Sequence, residues 1–216
     1  MMLFTILLSL AGKKRWFYFM TGTQIAGNIL SGIGMILFFI SSFLKSKKKI
    51  LLFQIGNHSF SSVSQIFFSD GHGFSGAVQD AVSIVRNIVI IFNKNNKYLS
   101  AFFIVLALSL GIFFNVYSYI SDQNVWMFVA GFLPVVASLE YSIVILLPNV
   151  KVVHIKMAMV VSSLCWAIYG FFILNYVLAV FNIFICISSI VSIVRFYLSN
   201  KNDIHEEALE GESNVE

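Results

Sequence analysis

Val82-Ser83-Ile84-Val85-Arg86 recurs unchanged as Val191-Ser192-Ile193-Val194-Arg195, an offset of 109 residues (191 − 82). Each copy closes a long apolar stretch that runs into an Asn/Lys break, Asn93-Lys94-Asn95-Asn96 after the first and Asn200-Lys201-Asn202 after the second. That offset accommodates a three-helix unit plus one further membrane crossing. A repeat of this kind decides the architecture before any motif is read. It predicts an all-α membrane protein with seven transmembrane helices, built as two parallel three-helix repeats joined by a linker helix.

Working outward, the composition agrees. The chain has 216 residues, of which 58% are hydrophobic and only 11% charged; an ordinary soluble domain carries roughly a quarter charged residues. Its apolar runs are each near the ~20 residues that a helix needs to cross the hydrocarbon layer. They are predicted at Gln24–Leu44, Ile50–Phe68, Phe74–Phe92, Tyr98–Ile120, Val125–Leu147, Ile155–Ile173 and Val177–Leu198. None alternates with a period of two, which argues against a membrane β-barrel. The predicted organisation is an extension at 1–19, a first repeat at 20–97, the linker at 98–120, a second repeat at 121–200 and an acidic, disordered tail at 201–216.

The net charge of +4 is no sign of nucleic-acid binding, because the lysines gather in alternate breaks. Lys45, Lys47, Lys48 and Lys49 follow the first segment, Lys94 and Lys97 the third, Lys151 and Lys156 the fifth, and Lys201 the seventh. The opposite breaks hold Asp70, Asp122 and Asn175 without Lys or Arg. The positive-inside rule then places the N-terminus outside and the C-terminus in the cytoplasm of a multi-pass protein. Lys13-Lys14-Arg15 runs against this orientation. Met1–Ala11 is too short to span and has no basic residues ahead of its apolar run, so it makes a poor signal peptide. The functional chain is therefore expected to begin near Met20.

Polar side chains form stripes on these helices. The second segment reads Gln54, Asn57, His58, Ser61, Ser62 and Gln65, in steps that share one helical face. Gln24, Gly27, Asn28, Ser31 and Gly34 do the same on the first. The third carries Gly76, Gln79, Asp80, Ser83, Arg86 and Asn87. Ser162, Ser163, Trp166, Tyr169 and Gly170 stripe the sixth, and Asn182, Cys186, Ser189 and Ser192 the seventh. Stripes of small and polar residues can serve purely as helix–helix glue. So many amide, imidazole and hydroxyl groups on one face, however, need partners in a dry medium. A water- or solute-filled path supplies them. Gln24, Asn28, His58, Ser62 and Gln65 are expected to line it on one side, and Trp166, Tyr169 and Asn182 on the other.

The intramembrane charges are Asp80, Arg86, Glu140 and Arg195. Arg86 and Arg195 lie near enough to the cytoplasmic end to snorkel, and Asp80 near enough to the outer end to reach water. Glu140 has no such escape and is the functional candidate by default; at a similar depth to Arg86, it is expected to pair with it, or with Arg195 as second choice. His58 reads as a histidine hydrogen-bonded within the bundle, with a proton relay as the alternative. Asp70-Gly71-His72-Gly73 resembles half a metal site but reads as a tight turn. Cys165 and Cys186 fall at mid-membrane and imply no disulfide. No enzyme signature occurs, and neither a metal nor a cofactor is expected.

Leu133-Pro134-Val135 in the fifth segment, Cys165-Trp166-Ala167-Ile168 in the sixth, the start at Met20 and the arginines closing each repeat, Arg86 and Arg195, resemble the YgjV family of bacterial inner-membrane proteins. The resemblance covers Met20 to about Leu198 and implies location and fold, but no substrate or catalytic residue. A wider likeness, to SWEET sugar facilitators and PnuC-type vitamin transporters, lies in the three-plus-one-plus-three layout. Proteins of the SWEET type hinge on prolines in both repeats, whereas here Pro134 alone lies within a helix. The expected function is a small-solute facilitator or transporter, for a polar solute of sugar or nucleoside type. The alternative is a non-transporting scaffold. Lipid is the expected partner, and a homo-oligomer is compatible with the sequence.

Overall fold

The computed structural model describes residues 22–68, 73–92, 96–147 and 149–213. The extension at 1–19, the Asp70-Gly71-His72 turn and the Asn93-Lys94-Asn95 break lie outside the described residues. Among the described residues all regular structure is helical: α1 (Gly22–Phe43), α2 (Lys47–Ile66), α3 (Phe74–Ile91), α4 (Lys97–Asp122), α5 (Val125–Ala130), α6 (Phe132–Leu146), α7 (Val152–Phe172) and α8 (Tyr176–Ser213).

Among the described residues six helical stretches are long and apolar enough to cross a membrane: Gly22–Phe43, Phe74–Ile91, Tyr98–Ser121, Val125–Leu146 (α5 and α6 together), Val152–Phe172 and Tyr176–Leu198. The sequence predicts seven. The missing one is α2, whose 20 residues reach about 30 Å at 1.5 Å each. Its length is sufficient; the three lysines of its first turn and the polar stripe that follows are what lower its hydropathy.

The helices close into a ring. α1 packs on α2, α2 on α3, α3 on α6, α6 on α7, α7 on α8, and α8 returns to α1. Hydroxyl and amide groups fasten the seam where the ring closes. Asn175 Nδ2 donates to Ser31 Oγ at 3.0 Å, and the hydroxyls of Ser42 and Ser188 lie 2.7 Å apart. Between α1 and α2, Ser64 Oγ donates to the Gly27 carbonyl at 2.8 Å. In lipid such short side chains allow helices to approach closely and to bond across the contact. Apolar side chains gather at both ends of the ring. Ile50, Leu51, Ile145 and Ile155 fill the end where α2 begins; Phe68, Ile173 and Leu178 fill the other.

α4 stands outside the ring against α3 and α6. Phe102, Val105, Phe113, Tyr117 and Ile120 along it are exposed, an apolar surface suited to lipid. Its start is capped by Asn96, whose side chain accepts from Leu99 N at 2.9 Å.

The fifth segment, predicted as one helix, is broken. α5 ends at Ala130 and α6 starts at Phe132. Pro134 has no N–H, and its ring clashes with the carbonyl four residues earlier, that of Ala130. Side chains from neighbouring helices satisfy the carbonyls around the break. Asn115 of α4 donates to Phe128 O at 2.8 Å, and Ser75 of α3 donates to Gly131 O at 3.0 Å. A Cβ at Gly131 would come within 2.0 Å of Asn115 Oδ1, so a larger residue there would displace the side chain that serves Phe128 O.

Rather than ending near Asn200, α8 runs on to Ser213. Glu206-Glu207-Ala208-Leu209-Glu210 explains this, since all are strong helix formers; acidic composition alone does not dissolve a helix that continues from a packed one.

Candidate functional site

The ring surrounds a cavity of about 20 Å3 to which all six of its helices contribute. Met35 and Phe38 come from α1, Gln54, Asn57, His58 and Ser61 from α2, and Asp80, Ser83 and Arg86 from α3. α6 adds Ala137, Ser138 and Tyr141, α7 adds Ser162 and Trp166, and α8 adds Leu178 and Asn182. The space is narrow and in this conformation admits water-sized molecules.

Two polar clusters occupy the wall. In the first, His58 Nδ1 lies 2.5 Å from Asp80 Oδ1, while Gln65 Nε2 donates to Asp80 Oδ2 at 2.6 Å and to Ser61 Oγ at 3.0 Å. Both carboxylate oxygens are thus engaged. Among the described residues this is the one contact of a carboxylate with a basic side chain at salt-bridge distance, an ion pair when His58 carries its second proton. Asp80 is only 2% exposed, so it does not reach the outer water as its depth suggested: its helical face turns inward. For His58 the expected hydrogen-bonded state is what the structure contains.

The second cluster centres on Arg86, one of the largest fully buried side chains, at 1% exposure. It does not snorkel. Its Nε and one terminal nitrogen donate to Asn87 Oδ1 at 3.1 and 3.0 Å, and the other donates to Ser142 Oγ at 2.5 Å. Its guanidinium carbon stands 5.4 Å from the centre of the Tyr141 ring, a cation–π arrangement. The Tyr141 hydroxyl in turn exchanges hydrogen bonds with Gln54, at 2.7 and 2.9 Å.

Glu140 is not Arg86's partner. It is half-buried, outside the cavity lining, and its Oε2 has no hydrogen-bond partner. Consecutive residues on a helix point about 100° apart, and it is Tyr141 that faces inward. Arg195 is exposed. The two arginines of the repeat therefore sit in different surroundings.

Of the eight expected path residues, His58, Trp166 and Asn182 line the cavity. Gln65 and Tyr169 stand directly behind it, Gln65 through its bonds to Asp80 and Ser61, and Tyr169 edge-on to Trp166 with ring centres 5.7 Å apart. Gln24, Asn28 and Ser62 do not line it. Asn28 Nδ2 donates to the Gln24 carbonyl within its own helix, and Ser62 Oγ donates to Ala77 O. Gln54, Ser138 and Tyr141 reach the cavity without having been singled out as path residues. The Gln54 stripe was visible in the sequence; Tyr141 had no signal of its own. Cys165 and Cys186 are free thiols, and among the described residues no cluster of metal-ligating side chains occurs.

No curated protein and no solved structure matches the chain. A family model described as Imp-YgjV, bacterial inner membrane protein, matches residues 25–200. That span takes in all six apolar stretches almost entirely, and with them the ring and its cavity. The chain is a multi-pass inner-membrane protein that belongs to the Imp-YgjV family.

Proposed function

We propose that this protein is a facilitator or transporter of a small polar solute, with the solute bound in the ring cavity and no covalent chemistry involved. The observation that carries this reading is a cavity lined by six helices, with imidazole, carboxylate, guanidinium, amide and hydroxyl groups, inside a bundle whose outer surface is apolar. Such groups are costly in hydrocarbon unless they face a partner or a water-filled space. Trp166, backed by Tyr169, and Asn182 offer an aromatic face beside hydrogen-bonding groups, which suits a sugar- or nucleoside-like solute.

In this reading α2 also spans, giving seven crossings. α1–α3 and α5–α8 are two parallel three-helix repeats, and α4 links them outside the ring. Transporter repeats commonly hold their solute where they meet; here α3 meets α6 and α1 meets α8. The N-terminus lies outside and the C-terminus in the cytoplasm. Support comes from the basic groups collecting at one end. Lys47 Nζ donates to Ile145 O at 3.1 Å, joining the start of α2 to the end of α6, and Lys156 donates to Ser192 near the Arg195 end of α8. Pro134 and the break at Gly131 would serve as the hinge.

A second reading, a non-transporting scaffold, draws on the narrowness of the cavity and on the mutual pairing of Gln54 with Tyr141 and of His58 with Asp80. A thermal-shift screen of the purified protein against a metabolite library separates the two. A ligand that binds only the folded state raises the melting temperature by mass action. Transport requires hits that Trp166→Ala or His58→Ala removes without unfolding the protein. A broad library without a single hit rules for the scaffold.

A further inference from the structure

We infer that the solute carries an oxyanion, a carboxylate or a phosphate, and that Arg86 is the group that receives it. The inference rests on the proposed solute cavity and narrows what enters it. A guanidinium has five N–H donors in a planar fork. Three hydrogen bonds are present on Arg86, one on Nε and one on each terminal nitrogen, so each terminal nitrogen retains an unused N–H. All its acceptors are neutral: an amide oxygen, a hydroxyl and an aromatic ring. No carboxylate pairs with it, although the side chain is buried and lines the cavity.

The nearby acids do not fill that role. Glu140, on the helix that supplies Ser142 and Tyr141, makes no ion pair with it and does not line the cavity. Asp80 is six residues away on the same helix, about 9 Å along the axis at 1.5 Å per residue, and both its oxygens are taken by His58 and Gln65. One end of the cavity therefore holds a satisfied acid and the other an uncompensated cation.

A buried charge without a counter-charge is among the costliest features a protein can carry. Persisting here, it points to an anion that supplies the counter-charge when bound. Two unused N–H groups on the terminal nitrogens of one guanidinium match the two oxygens of a carboxylate or phosphate, the pairing in which arginine exceeds lysine. Asn87 and Ser142 hold the fork and the Tyr141 ring supports its face, so the donors are oriented before the anion arrives. Arg86 is a binding residue in this account.

The test uses the full chain in detergent, with sodium acetate and sodium phosphate exchanged against sodium chloride at constant ionic strength. Acetamide and glycerol serve as neutral probes of similar size. Trp166 lines the cavity, so its fluorescence, with Trp16 and Trp126 replaced by Phe, reports binding beside the melting temperature. A saturable response to acetate or phosphate and none to the neutral probes is expected, the responding salt telling carboxylate from phosphate. Arg86→Gln should weaken that binding at least tenfold. If this variant fails to fold, Arg86→Lys keeps the charge without the fork and should still weaken it several-fold. Equal responses to neutral and anionic probes, or unchanged affinity in a folded Arg86 variant, overturn the inference while leaving a solute cavity in place. Silence from every probe also overturns it, and the metabolite screen then decides the broader reading on its own.

Discussion

At the scale of single residues, the cavity separates charges that depth along a helix cannot. Arg86, Asp80 and Glu140 could each be placed by counting from a helix end, and the count was sound. It gives no azimuth, however, and azimuth decided all three. Arg86 and Asp80 line the cavity, whereas Glu140 does not. Two double-mutant cycles follow from this geometry. His58→Gln and Asp80→Asn should couple by at least about 1 kcal/mol, since they break one buried pair. Glu140→Gln and Arg86→Gln should add to within roughly 0.5 kcal/mol, as unconnected sites do. Melting curves in detergent report both, and strong coupling of the second pair would restore the ion pair expected from depth. The amide and imidazole stripe of α2 was legible, because a period of 3.6 places its members on one face whatever that face meets. Tyr141 was not legible: an aromatic residue within an apolar run looks the same whether it faces lipid or a guanidinium.

At the scale of elements, the informative contrast is between α2 and the break in the fifth segment. α2 is too polar to pass as a membrane helix by hydropathy alone, although it is flanked by α1 and α3 and buries Gln54, Asn57, Ser61, Ser64 and Gln65. Its existence was readable from its length and stripe. The break was only half readable. Pro134 announces a disturbance and the proline rule places it four residues earlier, but the partners that repair it come from α3 and α4. Those contacts are tertiary, and one sequence holds no trace of them. Replacing Asn115 with Ala should leave the Phe128 carbonyl without its donor in an apolar setting, a loss of about 1–3 kcal/mol. Pro134→Ala should cost less, because it restores a donor where one was missing. Melting temperatures of the two variants, measured side by side, give the order; a larger loss for Pro134→Ala would mean that the proline shapes the ring itself.

At the scale of the whole molecule, the proposed topology rests on the duplicated pentapeptide and the alternate lysines. A reporter active only in the cytoplasm should work when fused after Lys201, and one active only outside should work at Asp122. The opposite result at both positions would reverse the protein in the membrane. That the chain is helical and crosses repeatedly was legible from composition alone. The closure of the ring was not, because hydroxyl contacts such as Ser42 with Ser188 join residues 146 apart and carry no local signature. This seam also sets a schedule for biosynthesis. At roughly 5–20 residues per second, the ribosome finishes α1 about 7–30 s before the serine it must meet exists. Throughout that wait the inward groups of the nascent bundle face a missing wall, where water, lipid headgroups or an insertion factor must stand in. A chain stopped after Leu174 never leaves that state. Pulse-chase labelling should show it degraded quickly, while a chain stopped after Leu198 persists; equal lifetimes would mean that the first helices are content without the last.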